Sequence, residues 1–262
     1  MIRLGVLAAA LSAACAGFVL LAREQASPGT TPAPPPATTS VSDPLAPAPE
    51  LGLEIPTPVL LSGREDVSLW APVLEPVAVR RSPSAAAPRI GRLAERTPEG
   101  TTNIVLVTGD GRRAGLLWVP IRGAGLEGWV PRRALGGYAS VDTRLQIDTQ
   151  ALTATLLRGA DVVFQAPVGI GTIEAPTPTG EFFVRNVLTR YASAAYGPIA
   201  FGTSAQSETL TDWPAGGFVG IHGTDRPDLL PGRVSHGCIR LRNSDIVTLA
   251  RLMPVGTPVR IT

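Results

Sequence analysis

Alternation of apolar and polar positions, broken at short intervals by glycine- and proline-bearing turns, runs through most of this chain and predicts a mainly β protein. From residue 141 onward, Leu145–Asp148 alternates, Thr153–Leu157 and Asp161–Gln165 follow, and Pro167–Gly171 continues the series. A period of two puts successive side chains on opposite faces of a strand. The Gly-rich turns between the runs favour antiparallel pairing. One segment departs from this rhythm: over Asn243–Leu252, Ile246, Leu249, Ala250 and Met253 recur at helical spacing, and Pro254 stops the run. Asn243 or Ser244 is expected to cap that helix. Pro258–Ile261 reads as a last strand, so residues 141–262 are expected to form an antiparallel, β-sandwich-like domain with one short helix.

A second β-rich block lies upstream, over residues 70–138. Its runs are Val77–Val79, Arg89–Leu93, Asn103–Val107, Gly115–Ile121 and Gly128–Val130, with turn clusters at Gly109-Asp110-Gly111 and Gly123-Ala124-Gly125. Short strands at such spacing suggest a small barrel. The order of a Val-Arg-Arg-Ser-Pro-Ser segment, a Gly-Arg-Leu strand, a Trp-Val strand and a terminal Glu127-Gly128-Trp129-Val130-Pro131 resembles bacterial SH3-like domains.

Residues 1–26 differ from both blocks. Arg3 is followed by an uncharged, largely apolar stretch from Leu4 to Ala22, and the first acidic residue is Glu24. The pattern reads as an export signal or an uncleaved membrane anchor. Leu11-Ser12-Ala13-Ala14-Cys15 also hints at lipidation of Cys15. Residues 27–58 are crowded with Pro, Ala, Thr and Ser, including Pro34-Pro35-Pro36, and lack core-forming periodicity. They read as an extended linker. Either outcome for the leader places the remainder outside the cytoplasm, in the periplasm or cell wall.

Charge excludes little but is informative. The formal net charge is +2, too small to argue nucleic-acid binding but compatible with an anionic cell wall, and all the basic residues are arginine. The chemistry is concentrated elsewhere. The chain has two histidines and two cysteines, and three of these four residues lie between His222 and Cys238. They sit in Val219-Gly220-Ile221-His222-Gly223-Thr224 and Ser235-His236-Gly237-Cys238-Ile239-Arg240-Leu241.

A thiolate, not a thiol, attacks a carbonyl, and an imidazole can take the thiol proton and later return it to a leaving amine. Glycines at 223 and 237 permit close backbone approach or positive φ. Amides near Gly237 and Cys238 are candidates for an oxyanion hole. A zinc reading of His222, His236 and Cys238 is disfavoured by spacing, since no second close pair of ligands accompanies His236 and Cys238. An exported free thiol with no disulfide partner also points to catalysis.

These two segments, with residues 223–235 between the histidines, resemble the signature of the L,D-transpeptidases, whose catalytic module is the YkuD domain. Ala175-Pro176-Thr177-Pro178-Thr179-Gly180-Glu181-Phe182 is similar to a Thr-Pro-Thr-Gly segment of the same module. The resemblance covers roughly Val141 to Thr262. It implies that Cys238 forms a thioester with a peptidoglycan stem tetrapeptide, that His222 is the general base, and that the Gly223 carbonyl orients it. It further implies that His236, Gly237 and Ser235 support the oxyanion side, and that Arg240 and Tyr196 meet substrate. Neither metal nor organic cofactor is implied, and carbapenems are expected to acylate the cysteine. Hydrolysis of the same thioester, an L,D-carboxypeptidase outcome, is the alternative within enzymes; a non-catalytic wall-binding protein is the alternative outside them. Trp213, Phe218 and Tyr196 otherwise read as core or lid aromatics, and Gly180 as a turn residue.

Overall fold

A computed structural model of the chain describes residues 67–189, 193–207, 209 and 217–262. The leader over 1–26, the linker over 27–58, Cys15 and Trp213 lie outside the described residues.

The mainly β expectation is met. Seven strands form the N-terminal sheet: β1 (Ser68–Pro72), β2 (Val77–Arg80), β3 (Arg89–Leu93), β4 (Ile104–Val107), β5 (Trp118–Gly123), β6 (Leu126–Pro131) and β7 (Ala139–Val141). Their order is β3-β2-β6-β5-β4-β1-β7, antiparallel throughout. Alternation decides the buried face: in β5, Val119, Ile121 and Gly123 point inward. They join Val79, Val105 and Val130 in the core of this sheet. The Gly109-Asp110-Gly111 turn is a short 3-10 helix, Gly109–Arg112.

Ten strands make the second sheet: β8 (Thr143–Asp148), β9 (Thr153–Arg158), β10 (Asp161–Pro167), β11 (Gly169–Gly171), β12 (Gly180–Leu188), β13 (Ala200–Gln206), β14 (Phe218–His222), β15 (Gly232–Ser235), β16 (Ile239–Arg240) and β17 (Pro258–Ile261). The order is β10-β9-β8-β17-β12-β13-β14-β16-β11-β15. The sheet curls into a half-barrel around a core that draws on Leu156 at one end, Ile170 near the other, and Phe201 and Ile221 between them. The pairing is mixed rather than antiparallel throughout: β17 with β8, β14 with β16 and β11 with β15 run parallel. Parallel neighbours need a long return connection. Residues 223–238 provide one between β14 and β16, and helix α1 (Asn243–Leu252) lies between β16 and β17.

Helix α1 has the bounds its periodicity predicts, with Ile246 and Leu249 fully buried in the core of the second sheet. Its cap does not follow the expectation. Arg242 occupies the cap position and no side chain caps the helix. Asn243 instead turns its Oδ1 to the backbone N–H of Thr224, at 2.9 Å. The two sheets meet through Ile104 and Leu106 of β4, which pack on Phe183 of β12 together with Trp70 and Val255.

Candidate active site

The parallel pairing of β14 and β16 builds the site. Ile221 stands opposite Ile239 and His222 opposite Arg240, which sets Cys238, one residue ahead of β16, level with Gly220. Residues two apart on a strand share a face. Gly220 and His222 therefore share theirs with Cys238 and Arg240, thiol and imidazole one strand apart and two residues along. A contact confirms the register: the Gly220 N–H donates to Cys238 Sγ at 3.4 Å. Such a donor favours thiolate over thiol, because it stabilises negative charge on sulfur.

Cys238 is 5% exposed and is in no disulfide among the described residues. It packs with Ala200 and Phe218, and Tyr196 covers the same cluster. His222 is also buried. Its Nδ1 lies 2.6 Å from the carbonyl oxygen of Gly223. A carbonyl only accepts, so Nδ1 carries the proton and, in the neutral ring, Nε2 is the nitrogen able to take one. Tyr196 holds the ring edge-on, with centroids 4.6 Å apart and planes at 66°.

Gly223 must be glycine for a steric reason. A Cβ there would stand 2.2 Å from Asn243 Oδ1 and 3.0 Å from the Gly197 Cα. The absence of that carbon lets Asn243 reach the Thr224 amide, and so secures the carbonyl that orients the imidazole.

The loop ahead of Cys238 is tied from within by the Ser235 hydroxyl. Ser235 Oγ donates to the Cys238 carbonyl at 2.5 Å and accepts the Gly237 N–H at 3.1 Å. The Gly237 amide is thereby engaged inside the loop in this conformation. Gly237 itself sits at φ +119°, a conformation that favours glycine. His236 lies exposed at the loop surface, and Arg240 is half-buried on β16. The Arg240 Nε is buried without a hydrogen-bond partner among the described residues.

Residues beyond the predicted set complete the site. Thr177, from the Thr-Pro-Thr-Gly segment, accepts the Gly171 N–H at 2.9 Å and donates to the Gly237 carbonyl at 2.8 Å. It braces the loop from behind. Thr177→Val keeps the shape and removes the hydroxyl, orphaning two buried groups at about 1–3 kcal/mol each. The expected result is a Tm lowered by roughly 5–15 °C in a calorimetric scan; a change under about 2 °C would remove Thr177 from this role. Arg185 in β12 lies at an irregularity of the β12–β13 ladder, between Val184 and Asn186. Its Nε donates to the Thr203 carbonyl at 2.7 Å, and its guanidinium stands 3.8 Å over the Phe218 ring. Burial lowers the Arg185 pKa, and the carboxylate of Glu99 opposes that shift.

A thiol, an oriented imidazole and a braced loop at a strand start are the groups that acyl transfer through a cysteine requires. The profile of the YkuD family, described as an L,D-transpeptidase catalytic domain, matches residues 142–261. YkuD of Bacillus subtilis is 33% identical over 122 residues, which cover 47% of this chain and 67% of that protein. The chain belongs to the YkuD family of L,D-transpeptidase catalytic domains. The YkuD family implies a peptidoglycan substrate. YkuD of Bacillus licheniformis is 32% identical over 129 residues, 48% of this chain and 71% of its own. Among solved structures, an Enterococcus faecium L,D-transpeptidase matches at 24% identity and a TM-score of 0.38, over 47% of this chain. The match spans about half of that enterococcal chain.

Proposed function

We propose that this YkuD-family chain is a peptidoglycan L,D-transpeptidase with Cys238 as nucleophile and His222 as base. Nε2 of His222 takes the Sγ proton, and the thiolate attacks the carbonyl carbon that links the third residue of a stem tetrapeptide to its terminal D-residue. The tetrahedral intermediate collapses with cleavage of the C–N bond, and His222 returns the proton to the departing amine. A thioester remains on Cys238. An acceptor amine then attacks that carbonyl, loses its proton to His222, and expels the thiolate, which is reprotonated. The oxyanion of each intermediate falls to the Cys238 amide and His236, since the Gly237 amide already serves Ser235. Arg240 and Tyr196 flank the substrate.

One observation carries this reading: the 2.6 Å contact of His222 Nδ1 with the Gly223 carbonyl, on the strand beside Cys238. It sets the tautomer that a general base needs. The apolar leader and the proline-rich linker support export to the periplasm or wall, with the catalytic domain held off the membrane.

Intact-mass spectrometry after incubation with a carbapenem tests the thioester. The expected result is a single adduct that maps to Cys238, and an unchanged mass would overturn the proposal. A stem tetrapeptide supplied with an amine acceptor then separates the outcomes. A new amide with release of the D-residue marks transfer, whereas tripeptide alone marks hydrolysis.

A further inference from the structure

The most deeply buried ion pair among the described residues lies between the two sheets, and it leads to the thiol. Glu99 sits in the turn between β3 and β4, where the Thr97 N–H bonds the Thr101 carbonyl. Its Oε1 accepts Arg185 Nη2 at 2.9 Å, and Oε2 accepts Asn186 Nδ2 at 3.1 Å. The two charged side chains are 2% and 3% exposed.

From Arg185 two paths run on to β14. The guanidinium lies over Phe218, the first residue of that strand and a packing neighbour of Cys238. The Arg185 Nε holds the Thr203 carbonyl, and Thr203 Oγ1 in turn donates to the Val219 carbonyl at 2.7 Å. Val219 precedes Gly220, whose N–H reaches the sulfur, and three residues on is His222. A second piece of the N-terminal sheet touches the same place: Ala124, at the β5–β6 turn, packs on the cluster of Ala200, Phe218 and Cys238.

A buried ion pair is weak ground for stability, because desolvation offsets attraction. Its value here is geometric. The β13–β14 ladder shifts register between its Gly202–Gly220 and Gln206–Phe218 pairs. Val219 lies inside that irregular stretch, where the Thr203 hydroxyl and the guanidinium over Phe218 add side-chain restraints to the backbone pairing.

We infer that Glu99 is a positioning residue for the reacting pair, holding Phe218 and the start of β14 through Arg185, so that the N-terminal sheet is a working part of the catalytic centre. The inference rests on the proposed roles of Cys238 and His222. It assigns the N-terminal sheet a task that wall targeting alone would not require.

The test uses the full chain in two variants, Glu99→Ala and the double variant Glu99→Ala/Arg185→Met. The second removes both charges of the pair and so guards against simple unfolding. Carbapenem acylation of Cys238 is timed by intact mass, well below the Tm of each variant and on protein with the circular dichroism of the parent. Both are expected to acylate about tenfold more slowly, as a displaced reacting group does. A purely structural Glu99 would lower Tm and leave the rate of the folded protein alone. Rates within about threefold of the parent in either folded variant would overturn the positioning role while leaving the proposed function intact. A parent chain that takes up no adduct would overturn both.

Discussion

Cys238→Ala is expected to lose acyl-enzyme formation altogether while keeping its fold. The sulfur sits in a small cluster with Ala200 and Phe218, and its removal leaves a void of about one atom and one backbone donor, Gly220 N–H, without its acceptor. Together these cost about 1–3 kcal/mol, small beside the stability of a domain of this size. Turnover has no such reserve, because neither half of the transfer proceeds without the thioester. Loss of a nucleophile that acts as a unit with its base costs on the order of 10⁴–10⁶ in kcat. Parallel thermal scans and carbapenem mass shifts check both parts. An adduct persisting in this variant would move the nucleophile elsewhere.

His222→Gln should be nearly as damaging at neutral pH and progressively less so in alkali. Glutamine retains an amide N–H for the Gly223 carbonyl but has no basic nitrogen. Removal of general-base assistance is worth about 10²–10⁴ in rate. Rising pH generates thiolate without any base, so the rate of the variant climbs with hydroxide while the parent gains less. The ratio of the two acylation rates is expected to narrow between about pH 6.5 and 9.5. A ratio that stays constant across that range would show that His222 acts by something other than proton removal.

The proposed reacting pair is legible in the sequence because it uses scarce residues. Two histidines and two cysteines leave few alternatives, and the motif order places base before nucleophile. Helix α1 is equally plain, since one apolar face and a terminating proline mark it. Strand β13 is not. Its residues, Ala200 to Gln206, include Gly202, Thr203 and Ser204 and are buried on both faces up to the last, so no alternation betrays it. Its buried hydroxyls are satisfied locally, as where Ser204 Oγ accepts the Phe183 N–H at 3.0 Å. The residues that brace the site were hidden for a related reason. Thr177 meets a partner 60 residues away and Arg185 one 86 away, at separations no local period encodes. Asn243, like Ser244, fits a helix cap by residue type and position. Its oxygen found the Thr224 amide instead, across a gap that only a glycine at 223 leaves open.

The connection from Asp225 to Pro231 also takes on a particular freedom. The proposed base and nucleophile are spaced by the pairing of adjacent parallel strands, and the Cys238 end is tied by Ser235 within its own turn. Neither restraint runs through the intervening loop. Closing a longer loop costs little, growing only with the logarithm of its length. Insertions or replacements there can therefore reshape the rim that an incoming peptide meets while the distance from imidazole to thiol stays as it is. Variation in substrate choice and constancy of chemistry are assigned to separate stretches of one short segment.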